Sequence, residues 1–233
     1  MSLPVFFADD LSGDEVTLSG DEGRHAVTVK RIEPGERLKL IDGTGFFVEA
    51  TVTSVEGKDR LRAHVDLRGE TPQPRPRVTI VQALPKSERS ELAIDLATQA
   101  GADAIIPWQA DRCVAKWKDK HGDKWRAAAL SATKQSRRSR APAVGEVVTT
   151  AQLGQLLEGK TAYVLHEDAV ASVKDVDLDV DELFLIVGPE GGIGTVELER
   201  IGATSIKLGP EVYRTASAAM VALSAIGALT KRW

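Results

Sequence analysis

Glu182 to Thr195 reads ELFLIVGPEGGIGT, and the fold turns on how that stretch divides. Leu183 to Val187 is a continuous apolar run of strand length, the pattern of a strand buried on both faces of a mainly parallel sheet. Gly188, Pro189, Glu190, Gly191 and Gly192 then stop the strand in a turn whose backbone N–H groups no side chain shields. Thr195 and Glu197 carry helix-start chemistry. A strand, a bare loop and a helix N-terminus make a ligand pocket at one edge of a sheet. Two nucleotide motifs are excluded: no Gly-Lys-Ser/Thr follows the loop, and Glu197 stands at the last glycine position of a GxGxxG reading from Gly192.

A second element of the same form lies downstream. Ser205 to Leu208 reads as a short strand, Gly209-Pro210 as a sharp turn, and Arg214-Thr215-Ala216-Ser217-Ala218 opens an alanine-rich helix running toward Trp233. One such cluster alone reads equally well as turn punctuation. Two, after successive strands, are placed to face one ligand.

Gly188-Pro189-Glu190-Gly191-Gly192, then Leu208-Gly209, then Tyr213-Arg214-Thr215 together resemble the C-terminal signature of the RsmE family of ribosomal RNA methyltransferases, within the SPOUT class. The resemblance implies an α/β trefoil-knot domain whose loops hold S-adenosyl-L-methionine in a bent conformation. It also implies a homodimer in which the partner completes the site, and an acceptor at N3 of a uridine in 16S ribosomal RNA of the small subunit. Carried over residue by residue, the donor site comprises Leu165, His166 and Glu167 after the strand Tyr163–Leu165, with Gly188, Pro189, Glu190, Gly191, Gly192, Ile193, Leu208, Gly209, Tyr213, Thr215 and Ala216. Arg214 is the candidate catalytic cation, stabilising the uridine N3 anion; the plainer reading is a salt bridge to Glu190 or Glu211. His166 at a strand end invites a general-base reading, but the resemblance does not single it out. Glu211 and Ala216 stand where arginine and glutamate are common in the family, and Ser217 where threonine is. No metal is implied.

The whole chain sets bounds. Its 233 residues, 42% hydrophobic and 27% charged, describe an ordinary globular protein. No apolar run approaches membrane-spanning length and the start MSLPVFFADD lacks signal-peptide organisation, so the default expectation is a cytoplasmic protein. The single cysteine, Cys113, excludes an intramolecular disulfide and reads as a buried filler. A net charge of −4 argues against indiscriminate coating of nucleic acid. Yet Arg112 to Arg140 holds ten lysines and arginines against two acids, a basic patch in an acidic protein.

Up to about residue 72 the chain shows short segments broken by turns at Pro34-Gly35, Asp42-Gly43 and Glu56-Gly57. Strand-like runs cover Arg37 to Ile41, Phe46 to Val55 and Leu61 to Leu67, with Phe46, Val48, Ala50 and Val52 alternating against Phe47, Glu49, Thr51 and Thr53. This is the pattern of a small β-barrel, interrupted by a short helix over Gly23 to Ile32. His25 through Arg31, followed by Gly35, is similar to the family's amino-terminal motif. It implies a PUA-like RNA-binding barrel with His25 and Arg31 as RNA contacts, although a histidine in such a place is commonly structural. Pro72, Pro74 and Pro76 then favour an extended linker, dividing the chain into residues 1–72 and 73–233.

Beyond it the pattern alternates strand and helix: Val78 to Leu84, Ser87 to Gln99, Ala104 to Ile106, and a helix from Asp123 to Ser136 with Trp125, Ala128, Ala129 and Ala132 on one face. That is an α/β sheet. Lys86 and Arg89 after its first strand, and Arg112 in the loop before the basic helix, are RNA candidates, as are Lys134, Gln135, Arg137, Arg138 and Arg140 at that helix's end. Complementing the helix dipole, at most about 1 kcal/mol per exposed charge, needs one or two cations and not a run. The family usually has an acid at Lys134 and a glycine at Arg137. Asp175 to Glu182 alternates acids with apolar residues and lacks the glycine of a calcium loop. The rival readings are a SPOUT enzyme acting on another RNA position, such as a ribose 2′-oxygen, and a non-catalytic RNA-binding ribosome-assembly factor.

Overall fold

The structure is a computed structural model describing residues 3–86 and 89–233, and it divides into two compact units. The first comprises Met1–Gln73 with Thr133–Ala141, the second Pro74–Ala132 with Pro142–Trp233.

In the first unit, β1 (Val5–Phe7), β2 (Glu15–Leu18), β3 (Arg37–Ile41), β4 (Phe46–Glu56) and β5 (Arg60–Glu70) form one sheet in the order β1-β3-β4-β5-β2. All pairs are antiparallel except β1 with β3. Alternation sets the faces: Val48, Ala50, Val52, Leu61, Ala63 and Val65 turn inward onto Phe6, Leu38 and Leu40. Outside, the Lys39 ammonium sits 3.9 Å from the Phe47 ring centroid. Irregularities between Glu49 and Ala50 and between Val52 and Ser54 add twist, letting the long β4–β5 hairpin curl around this core.

The expected helix over Gly23 to Ile32 starts earlier and changes register. Gly20–Arg24 is α-helical (α1) and His25–Val29 is π-helical, closed by Lys30 N–H donating to His25 O at 2.9 Å. Gly23 permits the close approach, since a Cβ there would lie 2.0 Å from Asp59 O.

The second unit runs β6 (Arg77–Ala83), α2 (Ser90–Gln99), β7 (Ala104–Gln109), α3 (Asp119–Gln135), β8 (Ala143–Val144), β9 (Val148–Thr149), α4 (Thr150–Leu157), β10 (Ala162–Leu165), β11 (Glu182–Val187), α5 (Thr195–Ile201), β12 (Thr204–Ile206) and α6 (Thr215–Leu229). The last three residues of α3 are grouped with the first unit. Every strand pair is parallel, in the order β12-β10-β11-β6-β7-β8 with β9 also on β7. The apolar run of β11 lies inside that sheet, with Leu183, Leu185 and Ile186 fully buried.

Register positions the site. Leu165 pairs with Val187 and Ile206, and Val187 with Gln82, so the loops leaving β10, β11, β12 and β6 emerge along the same edge. The residues expected as Ser87 to Gln99 begin their helix at Ser90, and 87–88 lie outside the described residues. Helix α4 has no counterpart among the expected elements, although its Thr149 and Gln152 form a capping box, a T-x-x-Q signal legible without coordinates. Along α6, Leu223 and Ile226 are core, whereas Met220 and Leu229 are 38% and 51% exposed.

Candidate functional site

Three strand-end loops of the second unit enclose a cavity of about 750 Å³. Residues 165–168 after β10 form one wall, 187–195 another, and 206–215 after β12 the third, with Arg112, Leu198 and Ala218 closing the gaps. Every residue expected at the donor site lines it except Ala216. Thr215 and Ala218, three apart on α6, share the face toward the cavity; Ala216 is rotated away and only 4% exposed.

The 188–194 wall is bare for geometric reasons. Gly192 has φ +70, in the left-handed region, and Gly192 N–H donates to Pro189 O at 2.9 Å. A Cβ on Gly188 would come 2.8 Å from Ile193 Cγ1, and one on Gly191 would lie 3.3 Å from Arg112 Cβ. Glu190 is tied to the neighbouring loop, accepting from Lys86 N–H at 3.2 Å. His166 donates its backbone N–H to Ile206 O at 2.9 Å and accepts Asp168 N–H on Nδ1 at 3.3 Å, which braces the wall after β10.

Arg214 stands at the N-cap of α6, exposed and on the cavity rim. Among the described residues no acid pairs with its guanidinium; neither Glu190 nor Glu211 does. Arg112, read from sequence as an RNA contact, lies on the cavity wall, with Nη1 donating to Gly191 O at 3.1 Å.

Glu197 lies in the first turn of α5, as its helix-start reading has it, but it is buried. Gly194 is the cap residue, and Glu197 is 3% exposed, accepting on Oε1 from Asp111 N–H at 2.8 Å and Thr150 O–H at 2.7 Å. Cys113 is buried, and burial pushes its thiol above the ordinary cysteine value. Asp168, Gly194, Leu198, Lys207 and Val212 also line the cavity and were not expected there; only their closeness in sequence to the strand-end residues already named signalled them.

The RNA candidates fall in two groups. In the first unit His25 meets the Phe6 ring edge-on, with centroids 5.6 Å apart. Lys134 Nζ is held by Glu22, whose other oxygen accepts Phe7 N–H at 3.1 Å. Arg140 is also engaged internally: it donates to Thr44 O, to Thr71 O at 2.9 Å and to Glu70 at 3.3 Å. A Cβ on Gly45 would lie 2.5 Å from the Arg140 guanidinium carbon. Gln135 and Arg137 are exposed and Arg138 half-buried; Arg31 and Arg137 hold left-handed φ values of 56 and 59. Lys86, Arg89 and Arg112 belong to the second unit.

Fold and site together define an RNA methyltransferase: residues 71–227 match the RNA methyltransferase domain family, and residues 18–66 the RNA methyltransferase PUA domain family. The chain is 49% identical over 248 aligned residues to the ribosomal RNA small subunit methyltransferase E of Mycobacterium bovis, covering 100% of this chain and 94% of the relative. The fold also matches the Neisseria gonorrhoeae enzyme of the same name, solved bound to S-adenosyl methionine, with a TM-score of 0.88, 24% identity and 98% of each chain covered. A Legionella pneumophila protein assigned as a methyltransferase and solved with the cofactor SAM aligns at 26% identity, TM-score 0.86, again over 98% of each. The chain belongs to the ribosomal RNA small subunit methyltransferase E family.

Proposed function

We propose that this protein transfers a methyl group from S-adenosylmethionine to N3 of a uridine in 16S ribosomal RNA, as a cytoplasmic homodimer. The division at residues 72–73 gives the amino-terminal barrel the task of gripping RNA and the parallel-sheet domain the chemistry. The observation that carries the reading is the cavity itself, walled by bare backbone at the ends of parallel strands and rimmed by Arg214, which no acid pairs among the described residues.

The residues fit the donor. The unshielded backbone of Gly188, Gly191, Gly192 and Gly209 lets N–H and C=O groups read an adenine edge at close approach, while Leu165, Ile193 and Leu208 cover ring faces. When bound, the donor supplies a methyl on a positively charged sulfur, so the protein's part is orientation and electrostatics. The imide N3 of uridine is a poor nucleophile while protonated. Arg214 stabilises its anion from the rim, and having no acidic partner among the described residues keeps its charge available. Exposed Arg31, Gln135 and Arg137 supply phosphate contacts in the first unit. Lys134 and Arg140 contribute there mainly by holding that surface together.

Calorimetry with S-adenosylmethionine tests this directly. The native chain binds, and Gly191→Arg abolishes binding, because any side chain there first meets Arg112. Arg214→Ala keeps donor binding and loses turnover on small ribosomal subunits by about 100-fold or more. A base methyl on uridine is the expected product; a ribose methyl overturns the N3 assignment. RNA binding without donor affinity overturns the enzyme reading and leaves an assembly factor.

A further inference from the structure

Behind the cavity wall lies a buried carboxylate that the transfer reading leaves without a task. Glu197 Oε1 accepts from Asp111 N–H and Thr150 O–H, and Thr150 Oγ1 itself accepts the Trp108 indole N–H at 3.2 Å. Its other oxygen, Oε2, is buried with no hydrogen-bond partner among the described residues. Burying a carboxylate with one oxygen unserved is costly. An acid needed only to favour the start of α5 works equally well at the surface, where that cost is not incurred. Neither substrate nor donor explains the group, because Glu197 is not on the cavity lining.

What the carboxylate holds explains it better. Asp111 precedes Arg112, and Arg112 lies along the bare loop: Nη1 donates to Gly191 O at 3.1 Å, and Nη2 would stand 3.3 Å from a Cβ on Gly194. The connections close a circuit. Gly191 leads along the chain to Glu197, Glu197 reaches across to Asp111, Asp111 leads to Arg112, and Arg112 returns to Gly191. A glycine-rich loop has a large conformational entropy to lose, so a brace of this kind decides how much of the loop's ordering is complete before the ligand arrives.

We infer that Glu197 is a positioning residue which, through the Asp111 N–H, sets Arg112 against the Gly191 carbonyl and holds the bare loop in its receiving shape. The inference rests on the donor-binding reading for its consequence, though not for its geometry. Glu197→Gln keeps a carbonyl acceptor for the Asp111 N–H, so the brace survives that change and is lost in Glu197→Ala.

The test combines S-adenosylmethionine calorimetry with hydrogen exchange read on peptides covering 109–116 and 188–194. Glu197→Ala weakens binding on the order of tenfold and speeds exchange in both segments, while Glu197→Gln stays within about threefold of native. Arg112→Ala also weakens binding, and the Glu197→Ala/Arg112→Ala double variant binds no worse than the weaker single one, because both cut the same circuit. Native affinity in Glu197→Ala, equal damage from Glu197→Gln, or losses that multiply in the double variant overturn the inference. Should Glu197→Ala not fold, Arg112→Ala decides: unchanged exchange over 188–194 overturns the brace. A native chain that binds no donor sinks the functional reading, and the exchange data still decide whether the circuit exists.

Discussion

His25 shows how much one residue's surroundings change its chemistry. It lies half-buried on the π-helical turn, and burial first, then the Lys134 and Lys30 charges, lower its pKa from 6.5, with Glu22 opposing them. The sign follows from proton binding. As pH falls through 6.5 the unfolded chain takes up a proton on His25 that the folded chain still refuses. The favourable contribution is therefore complete above that value and is lost below it, down to the folded pKa. Denaturant titrations between about pH 7.5 and 5.5 should show native protein losing more stability than His25→Gln. Lys134→Met should raise the His25 pKa in an NMR titration; a fall contradicts the assignment. The sequence marked His25 and Lys134 as charges near RNA. It did not show that Lys134 is already held by Glu22, a partner 112 positions away.

Among the elements, the C-terminal segment after α6 shows the same limit. Arg232 and Asp103 form an ion pair at 2.9 Å with both side chains 5% exposed. Arg232 also donates to Pro76 O and, at 2.6 Å, to Gly101 O, while Asp103 accepts Val78 N–H at 2.8 Å. The pair joins the end of the chain to the start of β6 and the turn before β7. Removing one partner strands the other in a dry site, so Arg232→Ala should cost about 3–5 kcal/mol in urea unfolding. A loss below about 1 kcal/mol would show that water reaches Asp103. Nothing in the last few residues announced this role. By contrast, the strands β6, β10 and β11 and the alternation of β4 and β5 were legible, because burial on one or both faces imposes a period on the sequence itself.

For the whole molecule, the family assignment and the paired glycine turns were readable from a short signature, and the cavity collects nearly all of its residues. Assembly is a separate question. Light scattering should give about twice the 25.0 kDa chain mass at micromolar concentration, and a monomer that retains full turnover removes the homodimer from the proposal. The basic stretch 112–140, continuous in sequence, is divided by the fold between a cavity wall, a helix and a set of internal clamps. Composition counts charges and cannot divide them.

Sequence alone settled what depends on local chemistry: which of the longer apolar or alternating runs are strands, where bare turns interrupt them, and which class of enzyme carries that signature. Only the tertiary structure decided that Arg112 braces Gly191 across 79 positions, that Glu197 is buried against Asp111 across 86, and that Ala216 turns from the cavity. Periodicity encodes which face a side chain takes, whereas its partner is chosen by how distant strands register and how their loops converge, and that choice is made only when the chain packs.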